Sequence, residues 1–164
     1  EAGQRQAAQA GNFLGHVSHI GRLVELAAIG DRCQIGRIGF DQNAVKRRFP
    51  VAVCSSAAPG AAVPTCDGGT DWGGGWVVFT DENGNREPDS EGDILRRNGS
   101  VPAAVSVRAS GGTLSFSSDG STTGGASFAL ALCDERGPAR GRQVEVAGVG
   151  RAQVTRPPLE DCTP

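Results

Sequence analysis

The chain has 164 residues, with 16 Lys and Arg against 18 Asp and Glu for a formal net charge of −2. That length fits one domain with a single core, or one domain carrying an extended arm. The near-neutral balance excludes a polycation, so any affinity for nucleic acid has to come from a local patch.

Residues 1–31 read as a helix. Phe13, Val17, Ile20, Val24 and Ala27 or Ala28 fall at steps of three and four along one face. Gly11, Gly15 and Gly21 each weaken that helix by about 1 kcal/mol relative to alanine. Gly30-Asp31 is a stop, and residues 34–39 form a break. A shorter helical pattern returns over 41–49, and Pro50 ends it by pushing the preceding residue out of the helical region.

From Val51 the pattern changes to strands. Val51–Ser55 is followed by an Ala/Pro/Gly-rich loop over 57–75, then by the strong run Trp76–Thr80. A polar turn region occupies 81–93. Further strands are expected at 94–97, 105–109, 114–117, 127–133, 143–146 and 151–155, separated by Gly111-Gly112, Asp119-Gly120 and Gly124-Gly125. Many short strands at close spacing, with 25 glycines and only 5% aromatic residues, predict a sandwich or barrel-like sheet packed on the preceding helix.

The cysteines are Cys33, Cys54, Cys66, Cys133 and Cys162. None forms a Cys-x-x-Cys pair, and only His16 and His19 could join them, so zinc spacings are lacking. Disulfides are the better reading, and they imply an oxidising compartment such as the bacterial periplasm. Four bridged cysteines allow three pairings, and spacing does not choose among them. No stretch reaches the roughly 18–20 apolar residues needed to span a bilayer. The first residue is Glu1 rather than Met, which fits a fragment or a processed product.

Several segments, in order, resemble the globular domain of GspH/FimT-family minor pilins and pseudopilins. They are Ala44-Val45-Lys46-Arg47-Arg48, Pro50-Val51-Ala52-Val53-Cys54, the run from Asp71 to Asn83, Gly92-Asp93-Ile94-Leu95-Arg96, the run from Leu114 to Gly120, and Val149-Gly150-Arg151. The resemblance implies an α+β protein, an N-terminal helix packed on a β-rich, two-sheet, sandwich-like pilin head. The expected division is a helical arm over 1–43 and a head over 44–164. It implies a structural subunit of a type IV pilus or a type II secretion pseudopilus, anchored in the bacterial inner membrane with a periplasmic head, or built into the filament. Its partners are then other pilins or pseudopilins, and the membrane contact runs through an N-terminal anchor helix. Residues 1–40 depart from the family pattern, lacking the apolar anchor and the Ala/Arg/Glu-rich face that leads into Ala44. A truncation accounts for the first difference, and a reading-frame change upstream of Asn43 for the second. The resemblance also favours the pairings Cys54–Cys66 and Cys133–Cys162, with Cys33 unpaired.

Catalysis is not expected, and no cofactor is implied. A serine hydrolase needs a base beside its nucleophile, and the two histidines lie on the N-terminal helix. The only lysine is Lys46, so no phosphate loop with a lysine exists. Asp81, Asn83 and Asn85 with Asp89 and Glu91 suggest a calcium loop, but Arg86 takes the place of its glycine and Gly92 that of its final glutamate. A polar turn is the better reading. Trp76 lies on a strand and is expected in the core, whereas Trp72 is either core or part of a binding platform.

The remaining functional signal is basic. Arg136, Arg140, Arg142, Arg151 and Arg156 converge into one strip if adjacent strands carry them, and guanidinium forks suit phosphate oxygens. In FimT-like members a C-terminal Gly-Arg-x-Arg element is linked to DNA binding in DNA uptake. Gly150 and Arg151 match its first half, but Gln153 stands in place of the second arginine. The alternative is a solvated arginine-rich edge strand whose charges discourage aggregation.

Overall fold

The computed structural model describes residues 26–29, 32–35, 48–156, 159 and 162. Their strands, in chain order, are β1 (Leu26–Ile29), β2 (Arg32–Ile35), β3 (Val51–Ser55), β4 (Trp76–Thr80), β5 (Ile94–Asn98), β6 (Ser106–Ala109), β7 (Thr113–Phe116), β8 (Phe128–Cys133), β9 (Arg142–Val146) and β10 (Ala152–Thr155).

Two four-stranded antiparallel sheets make the head, in the orders β5-β4-β3-β7 and β10-β9-β8-β6. Alternation decides what each strand buries. In β3, Val51 and Val53 face the second sheet; in β4, Trp76 and Val78 do so. Across the gap they meet Val107 and Ala109 of β6, Phe128 and Leu132 of β8, and Val144 and Val146 of β9. Burying each of the larger side chains stabilises the fold by about 1.5–3 kcal/mol. The two-sheet head that the family resemblance implied is therefore present.

The two central strands of the first sheet, β3 and β4, are buried on both faces. Ala52, Cys54, Val77 and Phe79 point away from the main core yet are fully buried, with Cys66 and Ile94 packed against them. This explains why Val-Ala-Val-Cys and Trp-Val-Val-Phe show no polar alternation: neither face meets water. The Cys54–Cys66 disulfide pins the 56–75 loop across this outer face. On the other sheet, Cys133–Cys162 fixes the C-terminal tail, and Leu159 packs against Ala131 and Cys133. On the chain-entropy view each bridge contributes about 3–4 kcal/mol.

The helix expected over 1–31 lies almost wholly outside the described residues, as does that over 41–49. Within the first span one stretch differs from expectation: Leu26–Ile29 is extended and pairs antiparallel with Arg32–Ile35, Ile29 opposite Arg32. Gly30-Asp31 is a turn-favouring pair that follows a short apolar run, and over so few residues a helical spacing also fits a strand. Arg48 has a φ of 59°, so the segment before Pro50 is not helical at that point. Among the described residues no helix is long and apolar enough to cross a membrane.

Candidate functional site

Four sequence features were candidates for chemistry, and packing absorbs two of them. Trp72 is buried in the main core, its ring tilted against Phe128 at 5.7 Å. Its indole N–H donates to the Gly111 carbonyl at 3.1 Å, tying the long loop to the β6–β7 turn. A buried, fully partnered indole is an anchor rather than a binding platform. Trp76 is likewise core.

The acidic turn over 81–93 is closed by its own donors. Asp81 is buried and accepts the Arg86 N–H, while both Asp89 oxygens accept amide donors, from Asn83 and Asn85, at 2.9 Å. Asp93 accepts the Ser90 N–H at 2.7 Å, and Glu87 accepts the Cys66 N–H at 3.0 Å. Such Asx-type bonds stabilise a polar turn. Among the described residues no three His, Cys, Asp or Glu side chains converge on a metal position. His16 and His19 lie outside the described residues.

The arginines remain, and the β9–β10 pairing divides them. Thr155 sits opposite Gln143 and Ala152 opposite Val146. Continuing that register puts Arg156 beside Arg142 at one end, with Arg140 on the short 3-10 turn Pro138–Arg140 just before it. Arg151 lies at the other end, five residues from Arg156, or about 17 Å along a strand. Arg142 donates to the carbonyls of Arg140 and Gly141 at 2.9 and 3.0 Å. Arg136 is paired with Asp134 through its Nε and a terminal nitrogen.

Between these ends lies a groove of about 650 Å³ on the outer face of the second sheet, whose lining includes Ala129, Glu145, Val149, Arg151 and Gln153. Glu145 is its polar hub. It accepts from Gln143 at 3.0 Å, from Gln153 at 2.9 Å and from the Thr155 hydroxyl at 3.2 Å. Gln153, at the second arginine position of the DNA-linked element, is thus bound to a carboxylate. An arginine placed there would face Glu145.

Asp134 carries the clearest electrostatic signal. Its bond to the Arg136 guanidinium holds its carboxyl below the usual carboxylate range, against the opposing effect of burial. A carboxyl whose folded-state pKa is depressed adds stability above its unfolded value, near 3.9, and loses it as pH falls through the folded value. Asp134→Asn should therefore lower the thermal midpoint at pH 7. The gap to the parent should close as pH drops well below 4. A gap that persists there would mean that the charge is not its source.

Residues 41–150 match the family described as "Type II transport protein GspH". The chain belongs to the GspH family. The fold of this GspH-family head is similar to that of the type IV minor pilin FimU from Pseudomonas aeruginosa strain PAO1 in two crystal forms. One superposes with a TM-score of 0.56 at 16% identity, covering 74% of this chain and 87% of FimU. The other gives a TM-score of 0.56 at 18% identity, covering 75% and 84%. No curated protein matches the sequence. The family match ends at Gly150, inside the β9–β10 turn, so β10 and the tail beyond it fall outside that match.

Proposed function

We propose that this GspH-family chain is a minor pilin or pseudopilin, a structural subunit of a type IV pilus or type II secretion pseudopilus whose partners are other pilins. The observation that carries the reading is the family match over 41–150 on a two-sheet head resembling that of FimU. Two disulfides in the head fit assembly on the periplasmic side of the inner membrane. In this reading residues 1–43, which include the β1–β2 pair, lie on the membrane-anchor side, and 44–164 supply the head. The subunit acts by contact and does no covalent chemistry. Deleting the gene in its own bacterium should reduce surface piliation or secretion of exported enzymes, and a copy in trans should restore it. Wild-type pili and secretion in the deletion strain would overturn the reading.

A second reading, capture of DNA by the same head during DNA uptake, is supported by the three arginines at one end of β9 and β10. Arg140, Arg142 and Arg156 come together there, and guanidinium groups take phosphate oxygens in pairs. Arg136 is bound to Asp134, and Arg151 stands apart near Glu145. Binding should then be sequence-independent, roughly micromolar or weaker, and lost as salt rises. Arg142→Ala and Arg156→Ala should each weaken it and flatten its salt dependence, more than Arg151→Ala does. No retardation of duplex DNA at low salt would remove this reading and leave the first untouched.

A further inference from the structure

The two sheets have four edge strands, β5, β7, β6 and β10. An edge presents unpaired main-chain groups that a further strand can take, and proteins cover or charge such edges. Three of the four are managed by the chain itself. Along β6, Trp72 N–H donates to the Val107 carbonyl at 2.9 Å, Ala109 N–H donates to that of Thr70 at 2.8 Å, and Asp71 bridges to Arg108. Along β7, Phe116 bridges to Thr122. Strand β5 carries Arg96 and Arg97, and the Arg97 guanidinium is fixed to the carbonyls of Pro59, Ala61 and Ala62.

Strand β10 is the exception. Among the described residues it pairs only with β9, and it holds no charge between Ala152 and Thr155. Ala147 N–H donates to the Arg151 carbonyl at 2.9 Å, which makes 147 and 151 a hydrogen-bonded pair. Antiparallel alternation then turns the main-chain groups of Gln153 and Thr155 towards β9, and those of Ala152 and Val154 outward. The side chains of Ala152 and Val154 share the core-facing side with Val146 and Val144, their partners in register. Yet Val154 is 44% exposed while Val144 is 4% exposed, so the sandwich is open at this strand. The two described residues of the tail lie elsewhere. Leu159 packs on Ala131 and Cys133 of β8, two strands inward, and Cys162 is bonded to Cys133.

Charge selects the occupant. Arg151 and Arg156 bracket the four open residues, and among the described residues neither has a carboxylate within ion-pair distance. A second copy docking edge to edge offers these arginines no carboxylate, because its own edge carries the same two arginines and no acid between them, which disfavours self-pairing. An extended segment with a carboxylate at each end meets an arginine at both. We infer that the outer edge of β10 is a docking site for an extended, acid-flanked segment of a neighbouring subunit, added as a fifth strand to this sheet. A six-residue strand matches the span from Arg151 to Arg156. Its ends fall on opposite faces, as those two arginines do.

The test uses the whole chain and a blocked hexapeptide of alternating valine and threonine between terminal glutamates, with a lysine-flanked counterpart. The glutamate peptide should bind and slow hydrogen exchange at the Ala152 and Val154 amides, with the lysine peptide at least tenfold weaker. Val154→Pro removes an outward N–H while sparing the bonds to β9, and should abolish binding. Should that variant misfold, the double charge reversal Arg151→Glu with Arg156→Glu should exchange the two peptides' order. The inference is overturned by absent binding at millimolar peptide, by equal affinity for both peptides, or by protection elsewhere in the head. The occupant rests on the filament reading, but the two fail separately: a subunit that assembles normally but binds no peptide loses only the β10 site.

Discussion

Replacing Phe79 with alanine should destabilise the head by about 3–5 kcal/mol, the usual cost of emptying a fully packed aromatic site. Phe79 is fully buried on the outer face of the first sheet, beside Ala52, Cys54 and Val77. Its neighbours are held by the strand ladders and by the Cys54–Cys66 bridge, so the site has little room to collapse. The thermal midpoint should fall by roughly 6–20 °C, since each kcal/mol moves a domain of this size by about 2–4 °C. Phe49, which is 46% exposed, provides the comparison: Phe49→Ala should stay within about 0.5 kcal/mol. A Phe79→Ala loss below about 1 kcal/mol would contradict burial of this outer face.

Gly150→Ala should cost about 2–5 kcal/mol, combining left-handed backbone strain with displacement of packed main chain. Gly150 has a φ of +79°, donates its N–H to the Ala147 carbonyl at 2.8 Å, and closes the turn that starts β10. A Cβ there would lie 1.8 Å from the carbonyl oxygen of Gly120, a backbone atom that cannot swing aside. Gly84 separates the two causes. Its φ is +74° but nothing lies within 4 Å of a Cβ, so Gly84→Ala should show the conformational cost alone, about 1 kcal/mol. Equal losses for the two would mean that the Gly120 contact is unimportant. The Gly150-Arg151 pair therefore has a structural reason to exist before any ligand is considered. The glycine makes the hairpin, and the hairpin places the arginine at the start of an open edge.

Every strand of the head was legible in the sequence, because the alternation of Leu114 and Phe116 with serines and the unbroken run at Trp76 leave little choice. Val51–Ser55 and Trp76–Thr80 match residue for residue, five others differ by one residue at one end, and Thr113–Phe116 is shifted by one residue. The outcome at Leu26–Ile29 was less legible. A four-residue apolar run before Gly30-Asp31 carries too little period to tell helix from strand. Trp72 could not be settled either, since its partners, Phe128 and the Gly111 carbonyl, lie far along the chain. The layout of the basic strip was open for a related reason. Sequence proximity places five arginines together, but the strand register sets Arg151 apart from Arg142 and Arg156. No composition signal could have marked the β10 edge, because its openness depends on which loops cover the other three edges.

Assembly with other pilins can be checked by locating the head in its own bacterium. Cells should be sheared, the released filaments and the membranes separated, and the protein followed with an antibody against the head, with cross-linked neighbours identified by mass spectrometry. Recovery is expected in the filament or inner-membrane fraction, cross-linked to other pilin or pseudopilin subunits. Recovery only as a free periplasmic or secreted protein, with no pilin among its cross-linked neighbours, would contradict it.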